Sequence, residues 1–527
     1  MTPDERENEA GIPSDIELAF AKSGPSPDNV QATSGEQREG ESPVARTATN
    51  TSIAETLSLP HEIAFVGLVC MAQLTTQAGL GQALSILHII GDSFGITDPG
   101  QLTWLIAGYS LTVGTFILFS GRLGDVFGYK RLLLIGWAWF SLWSAVAGCA
   151  IYSNYVLFIF SRVLQGIGPA ICLPNGLAIL GATYAPGRRK AMCFAIFGAM
   201  APAGFLVGAL FASLFSMAFW PWAFWAFSIA LAGLAVAGIF IIPDPPRKFA
   251  AAMSLRGRME QLDIPGAVTG VAALVLFNFA WNQAPIDGWQ APHVIVMLIL
   301  GVLLGVVFFI LETRYSPQPL IPFEIFSSDV SFVLAALALG WSCFGVFVYY
   351  LWQFEEVLLG ATPLLVTARF TPVAISGTMA AVFTGMLLHR LGPAVVMTMA
   401  LTSFTVGSIL SATVPQDQTY WAQVFVTLLV ISWGMDMSFP AATLILSDAM
   451  AKEHQGIAAS LVNTIVNYSI SLGLGLAGTV EVHVNKGGKT RADLQNGYHG
   501  AQYMGIGLAG LGTVVCCCFL LKEHLDV

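Results

Sequence analysis

Two charged side chains lie inside long apolar stretches of this chain, where a charge is hardest to accommodate. Arg162 is followed three residues later by Gln165, so both lie on one face of a helix, and Asp436 lies in the apolar stretch 433–440. A charge at membrane depth usually faces a cavity or a partner, and burial disfavours the charged form of a carboxylate. Asp436 is therefore the candidate proton carrier. The alternative is a purely structural role, in which Arg162 bonds neighbouring carbonyls and Asp436 pairs permanently with a polar group.

A charged, glycine-rich stretch separates two long apolar runs near residue 125. Its spacing is G-x-x-x-D-x-x-G-x-K-R, formed by Gly121, Asp125, Gly128, Lys130 and Arg131. A short basic loop between two spans is cytoplasmic by the positive-inside rule. The glycines let the two helix ends approach, while the acid and the basic pair can form contacts that differ between two states. The stretch is predicted to act as a conformational hinge.

Neutral polar side chains recur at helical spacing on several apolar runs. Such amides orient uncharged or weakly polar cargo without demanding a counter-charge, although hydrogen bonding between helices is the competing interpretation. The predicted cavity-lining residues are Gln73, Gln77, Gln165, Asn463 and Asn467.

One further run combines small residues with a proline. Gly198, Pro202, Gly204 and Gly208 follow one another within eleven residues. Small residues allow close approach of helices in a membrane, and proline kinks a helix. These four residues are predicted to serve helix packing, either between two bundles or simply within a kinked, tightly packed helix.

The elements that must position these residues are transmembrane helices. The 527-residue chain is 55% hydrophobic and only 10% charged, with a mean hydropathy of +0.70, so lipid must be its outer solvent. No basic stripe with exposed aromatics supports nucleic-acid binding. The sequence predicts an all-α polytopic membrane protein with about fourteen spans. They are expected at 61–87, 102–121, 131–151, 155–180, 189–215, 222–242, 263–283, 293–313, 329–352, 363–388, 394–412, 420–447, 454–480 and 501–521.

The basic residues of the loops predict the orientation. With the amino terminus inside, the outward loops hold only Lys486, Lys489 and Arg491. The inward loops hold fourteen basic residues, and an even number of spans places both termini in the cytoplasm. These fourteen are Arg122, Lys130, Arg131, Arg188, Arg189, Lys190, Arg247, Lys248, Arg256, Arg258, Arg314, Arg390, Lys452 and Lys522.

An internal repeat predicts how the spans are grouped. Gly385, His389 and Gly392 reproduce in the second half the spacing of the hinge residues at 121, 125 and 128. Two six-helix bundles with two inserted spans between them account for this repeat, and paired bundles enclose the substrate site in carriers of this kind. The predicted divisions are a disordered cytoplasmic tail at 1–60, an amino-terminal bundle at 61–242, a cytoplasmic loop with two inserted spans at 243–328, and a carboxy-terminal bundle with a short cytoplasmic tail at 329–527.

Several of these motifs resemble those of the major facilitator superfamily. The hinge resembles its loop between spans 2 and 3, and residues 158–168 resemble the span-4 motif of proton-coupled drug exporters, which implies proton transfer by Arg162. Residues 262–266 resemble the span-7 motif of the fourteen-span drug:proton antiporter family. The pattern differs at Val126 and Tyr129, where the family often has basic residues, and its span-5 motif is matched loosely.

Within that family the chain is most similar to the fungal aminotriazole-resistance branch, some of whose members export borate. Stretches 277–289, 434–443 and 455–481 carry this similarity, which extends over about residues 61–521. It implies a major facilitator fold of two six-helix bundles plus two inserted spans.

The expected function is secondary active export of small toxic organic compounds or metabolites, in exchange for protons, across the plasma membrane. A borate exporter or nutrient carrier of the same fold, a vacuolar or other internal membrane, and a non-transporting membrane sensor are the alternatives. The sequence contains no HExxH motif, no Ser/His constellation and no phosphate-binding glycine loop that would suggest an enzyme. We expect a monomer in the lipid bilayer without metal or cofactor, whose partners are a small-molecule substrate and the protons of the gradient.

Overall fold

The computed structural model of the protein describes residues 57–184, 188–243, 262–321, 323, 326–449, 455–488 and 490–525. Most of the predicted tail and of the loop after residue 243 lies outside these residues. The described residues form helices and no strands, and 14 of the helices are long and apolar enough to cross a membrane. The predictions of an all-α polytopic protein and of fourteen spans are confirmed.

The spans are numbered in chain order. Their helices are Leu59–Ser85 (span 1), Pro99–Phe127 (span 2), Tyr129–Cys149 (span 3), Tyr155–Gln165 with Ile167–Thr183 (span 4), Arg188–Ser216 (span 5), Pro221–Ile241 (span 6), Ile264–Asp287 (span 7), Pro292–Ile310 (span 8), Ser328–Gln353 (span 9), Pro363–Leu391 (span 10), Pro393–Ala412 (span 11), Val424–Ala449 (span 12), Gln455–Val484 (span 13) and Arg491–Leu525 (span 14). A short helix, Leu87–Phe94, follows span 1, and π-helical turns at Leu311–Tyr315 and Phe354–Leu358 extend spans 8 and 9.

Local sequence signals explain where several spans begin. The side chains of Asp98, Asn154 and Thr362 each accept a hydrogen bond from the backbone N–H three residues further on, which satisfies a free donor of the first helical turn. Proline occupies an early helical position in spans 2 and 10, where its missing N–H costs nothing.

The two ends of the helix bundle differ in charge. We call the end that contains Gly128, between spans 2 and 3, the loop-motif end, and the other the opposite end. Because the spans alternate in direction, the described loops and helix ends of the opposite end carry Lys486 and Arg491. Those of the loop-motif end carry Arg122, Lys130, Arg131, Arg189, Lys190, Arg314, Arg390 and Lys522.

The same helix pairs recur in both halves of the chain. In the first half span 1 packs on span 5, span 2 on span 4, and span 3 on spans 4 and 6. Adding eight to each number gives pairs that also pack: 9 on 13, 10 on 12, and 11 on 12 and 14. The halves meet where span 2 packs on span 13 and where span 5 packs on span 10. Adding eight turns span 2 into span 10 and span 5 into span 13, so the repeat relates these two contacts to each other. The halves are thus related as structural repeats.

The inserted spans lie against this seam. Span 7 packs on spans 2 and 13 as well as on span 8. The hydroxyl of Ser471 on span 13 donates to Oδ1 of Asn278 at 2.8 Å and to the carbonyl of Ala107 on span 2 at 2.9 Å, and Asn282 donates to the carbonyl of Ser471 at 3.2 Å. Only 11% of the apolar stretch of span 8 is buried in protein, so its surface faces lipid.

Candidate functional site

Asp436 lies on span 12 at a place where both halves meet. A Cβ built on Gly377 of span 10 would lie 2.4 Å from Oδ2 of Asp436 and 3.5 Å from Cγ of Pro202 on span 5. The missing side chain of Gly377 thus leaves room for the carboxylate beside a contact between the two halves. Asp436 is partly exposed, but its Oδ2 is buried and has no hydrogen-bond partner among the described residues. A single proton would remove the charge that makes this arrangement costly.

Arg162 is fully buried in the first half, where backbone carbonyls satisfy its guanidinium. Its Nε donates to the carbonyl of Leu105 at 3.0 Å, its Nη2 donates to the carbonyl of Gly79 at 2.9 Å, and its Nη1 bonds Gln165. The guanidinium carbon lies 4.5 Å from the centre of the Tyr109 ring. These contacts join spans 1, 2 and 4.

The two predicted proton-coupling residues therefore occupy separate environments. Within the described part of the chain no contact joins Arg162 to Asp436. Gln165, predicted to line a cavity, instead donates to the hydroxyl of Ser144 at 2.6 Å and is buried. Span 4 is interrupted directly after it at Gly166, where a Cβ would lie 2.1 Å from Oγ1 of Thr112.

The other four predicted cavity amides lie on spans 1 and 13. Gln73 and Gln77 are partly exposed, whereas Asn463 and Asn467 are buried and the side chain of Asn467 donates to the carbonyl of Asn463 at 3.0 Å. A small apolar cavity between the halves is lined by spans 1, 2, 9 and 13. Its wall begins one helical turn beyond Gln77 and Asn467, at Leu80 and Ile470.

The hinge residues touch both halves. A Cβ on Gly121 would lie 3.1 Å from Oγ of Ser460 on span 13, and one on Gly124 would lie 1.9 Å from Oδ1 of Asn175 on span 4. Gly128 has φ of +100°, which favours glycine. Gly392, its counterpart in the second half, has φ of +81°, so both copies of the motif turn the chain in a similar way.

The charges of the hinge form local bonds. The hydroxyl of Tyr129 donates to Oδ1 of Asp125 at 2.7 Å, so the tyrosine that departs from the family pattern is the acid's own partner. Arg122 lies within electrostatic range of Asp125 and donates to Oε1 of Gln318, in the segment after span 8, at 3.2 Å. Lys130, on the first turn of span 3, also has an interaction partner.

Span 5 packs closely on span 1 through two of its predicted glycines. A Cβ on Gly204 would lie 2.2 Å from the carbonyl oxygen of Leu74, and one on Gly208 would lie 2.1 Å from that of Ala78. Gly198 has open space within 4 Å. The close packing thus lies within the first half, while Pro202 provides the contact to Gly377 of the second.

Three glutamates within the spans of the second half escaped the sequence analysis. Glu355 and Glu481 are 0% and 3% exposed, and Glu356 is partly buried. Glu355 pairs with Arg369, and Oε2 of Glu481 accepts from the hydroxyl of Tyr350 at 2.7 Å. Each glutamate keeps one buried oxygen without a hydrogen-bond partner among the described residues. Hydropathy placed the ends of spans 9 and 13 at residues 352 and 480, just before these acids.

The fold and the paired bundles find their counterpart among known proteins. Residues 68–474 match the family described as Major Facilitator Superfamily. The chain belongs to this superfamily. Its family and its relatives are transporters, which agrees with the motifs at residues 121–131 and 158–168.

Relatives of the superfamily cover nearly the whole described chain. A low affinity ammonium transporter of Saccharomyces cerevisiae is 56% identical over 463 residues, 88% of this chain and 89% of that protein. Efflux pump terJ of Aspergillus terreus is 48% identical over 470 residues, 89% of each chain. The aminotriazole resistance protein of Saccharomyces cerevisiae is 40% identical over 471 residues, 88% of this chain and 85% of that protein. The predicted resemblance to the aminotriazole-resistance branch is confirmed.

Proposed function

We propose that this superfamily member exports small organic compounds or metabolites across the plasma membrane in exchange for protons. The observation that carries the proposal is the position of Asp436. Its Oδ2 is buried, has no hydrogen-bond partner among the described residues, and lies beside the contact of Pro202 with Gly377, where we expect the halves to move against each other. Binding or loss of one proton changes the charge at that contact. The efflux-pump relative supports the direction of transport.

The proposed orientation places the loop-motif end in the cytoplasm with both termini, because most basic residues of the loops lie there. The outer ends of the halves are then held together by contacts such as Thr103 with Tyr349, at 3.2 Å, and the ring of Phe205 against that of Trp352. Opening these contacts would admit protons to Asp436. One charge that crosses 100 mV provides about 2.3 kcal/mol for uphill export.

The proposed substrate is weakly polar. The small space between the closed halves is lined by apolar side chains, and we expect the nearby amides of Gln77 and Asn467 to orient cargo without a fixed counter-charge when the halves open. We propose that Arg162 acts by holding spans 1, 2 and 4 in the geometry that the cavity requires, since carbonyls already satisfy it. A single chain contains both halves of the pathway, which is consistent with a monomer.

The test is export by the Asp436→Asn variant in proteoliposomes, with aminotriazole as the probe because a relative is named for resistance to it. Asn keeps the size of the side chain and removes its proton. We expect loss of pH-driven accumulation, while downhill exchange of the probe continues. Asp417→Asn, which changes an exposed acid in the loop between spans 11 and 12, is the matched control. Full proton-driven accumulation by Asp436→Asn would exclude this residue as the coupling group.

A second candidate function is transport of ammonium, favoured by the identity of 56% to a low affinity ammonium transporter. The two candidates differ in cargo size and in the expected competitor. If ammonium is the cargo, an excess of ammonium will compete with labelled methylammonium and leave aminotriazole export unchanged.

A further inference from the structure

The opposite end of the bundle combines buried acids of one half with surface acids of the other. Glu481, on span 13, lies within electrostatic range of Asp98, the exposed acid at the start of span 2. Glu356, in the π-helical turn after span 9, lies within range of Asp92, an exposed acid of the short helix after span 1. Closure of this end therefore brings like charges of the two halves together, which is unfavourable unless something neutralises them.

Two basic side chains of this end are already engaged, while Lys486, in the loop after span 13, is exposed. Arg369 pairs with the neighbouring Glu355, and Arg491 donates to the carbonyl of Leu358. His88 bonds Gln353 of the other half, and burial lowers the pKa of His88, against the opposing effects of that bond and of Asp92. A histidine whose pKa is lowered is neutral near neutral pH, so it does not supply the missing positive charge.

Aromatic rings surround the more deeply buried acid. The hydroxyl of Tyr350 donates to Oε2 of Glu481, and the rings of Tyr349 and Tyr498 pack on that of Tyr350 at 5.0 and 5.7 Å between centres. Tyr498 also lies within electrostatic range of Glu481. The other carboxylate oxygen of Glu481, Oε1, is buried and has no donor among the described residues.

This combination selects the class of ligand. A carboxylate oxygen that lacks a donor, beside tyrosine rings, suits a small cation that donates hydrogen bonds and can also lie against an aromatic face. Within the described residues no three His, Cys, Asp or Glu side chains are grouped to coordinate a metal ion. An ammonium ion has this chemistry, and a proton bound to the carboxylate removes the same charge and supplies one hydrogen-bond donor.

We propose that the opposite end closes around a small hydrogen-bond-donating cation held by Glu481. The surface acid Asp98 attracts the cation to the entrance, and the buried Glu481 retains it. Occupation neutralises the like charges and permits the contacts of Thr103 with Tyr349 and of His88 with Gln353 to form. The site is distinct from Asp436, on span 12. Binding of the cation does not depend on the proposed function. Only its consequence, the control of closure during transport, rests on that function.

The test is the melting temperature of the full chain, purified in lipid nanodiscs, so that no transport is required. Ammonium chloride is compared with sodium chloride at equal ionic strength in alkaline buffer, and alkaline buffer is compared with acidic buffer. We expect at least one of ammonium and acid to raise the wild-type melting temperature by about 2 °C or more. Both effects should be lost in Glu481→Gln, whose amide still accepts from Tyr350 and supplies a donor where the carboxylate lacks one.

Two further variants keep the result interpretable. Asp98→Asn preserves an acceptor for the backbone N–H of Gln101 but removes the like charge, so it should raise the melting temperature in alkaline sodium chloride. Asp417→Asn, an exposed acid at the same end, should behave as wild type. Stabilisation by ammonium identifies ammonium as the ligand, and stabilisation only by acid identifies the proton. Equal responses of wild type and Glu481→Gln to both would overturn the proposal, and failure of export alone would not affect it.

Discussion

Buried carboxylate oxygens without donors are the most unusual side-chain feature of this protein. Such oxygens are expensive in an apolar interior, so native structures retain few of them without a reason. Among the described residues such oxygens belong to Asp436, Glu355, Glu356 and Glu481 in the second half of the chain, and to Asp263 and Glu312 at the inserted spans. Arg162 of the first half instead donates to two backbone carbonyls and to Gln165. We therefore expect sites for reversible protonation in the second half and at the inserted spans.

Gly377 offers a direct probe of Asp436. In Gly377→Ala the new Cβ would lie 2.4 Å from Oδ2, so the carboxylate must leave its position beside Pro202. We expect normal membrane levels, because the obstructing atom ends a flexible side chain, but a proton-driven export rate that falls several-fold. Gly233→Ala, in open space on span 6, is the control. Equal export by the two variants would mean that the position of the Asp436 carboxylate does not matter.

At the scale of helices, the pairing of spans 1 and 5 depends on backbone contact. Gly208→Ala would bring a Cβ to 2.1 Å from the carbonyl oxygen of Ala78, and a backbone cannot move aside without shifting the helix. Overpacking of this kind costs about 1–3 kcal/mol. We expect a lower melting temperature for Gly208→Ala, measured on purified protein. Gly198→Ala on the same span has free space and should be neutral or slightly stabilising, since alanine favours helix.

Two variants of the hinge between spans 2 and 3 separate the effect of its charge from that of its hydrogen bond. Asp125→Asn retains an acceptor for the Tyr129 hydroxyl and loses the charge near Arg122, whereas Tyr129→Phe loses the bond and retains the charge. We expect export to fall at least several-fold in Asp125→Asn at unchanged surface level, and to stay near wild type in Tyr129→Phe. If the tyrosine variant were the more impaired, the local bond and not the charge would be the functional element.

The sequence predicted the helices well and their ends less well. Hydropathy identifies fourteen spans because lipid demands about twenty apolar residues from each. It ended span 9 at residue 352, although a π-helical turn continues it through Leu358 and buries Glu355 with Arg369 as its partner. An ion pair between distant segments leaves no periodic signal in either. For the same reason the sequence identified Arg162 and Asp436 singly but did not predict their separation, which depends on tertiary packing.

At the scale of the whole molecule, repeated pairing explains how a small local change can move a bundle. The halves are joined by the contact of span 2 with span 13 and by that of span 5 with span 10, and the repeat relates one contact to the other. Each half can therefore rock as a unit about two equivalent seams. Asp436 lies beside the 5–10 seam and the hinge glycine Gly121 beside the 2–13 seam. The proposed coupling residue and the predicted hinge thus lie beside different seams of the expected movement.

The charge asymmetry of the two ends predicts the orientation of the molecule in the membrane. The fourteen spans of the described residues begin and end at the loop-motif end, where most of the described basic loop residues lie. Epitope tags placed before Met1 and after Val527 should therefore both resist protease added to intact cells. A tag inserted at Asp417, in the exposed loop between spans 11 and 12, should be cleaved under the same conditions and shows that the protease reaches the protein. Cleavage of either terminal tag in intact cells would contradict the orientation on which the proposed direction of export depends.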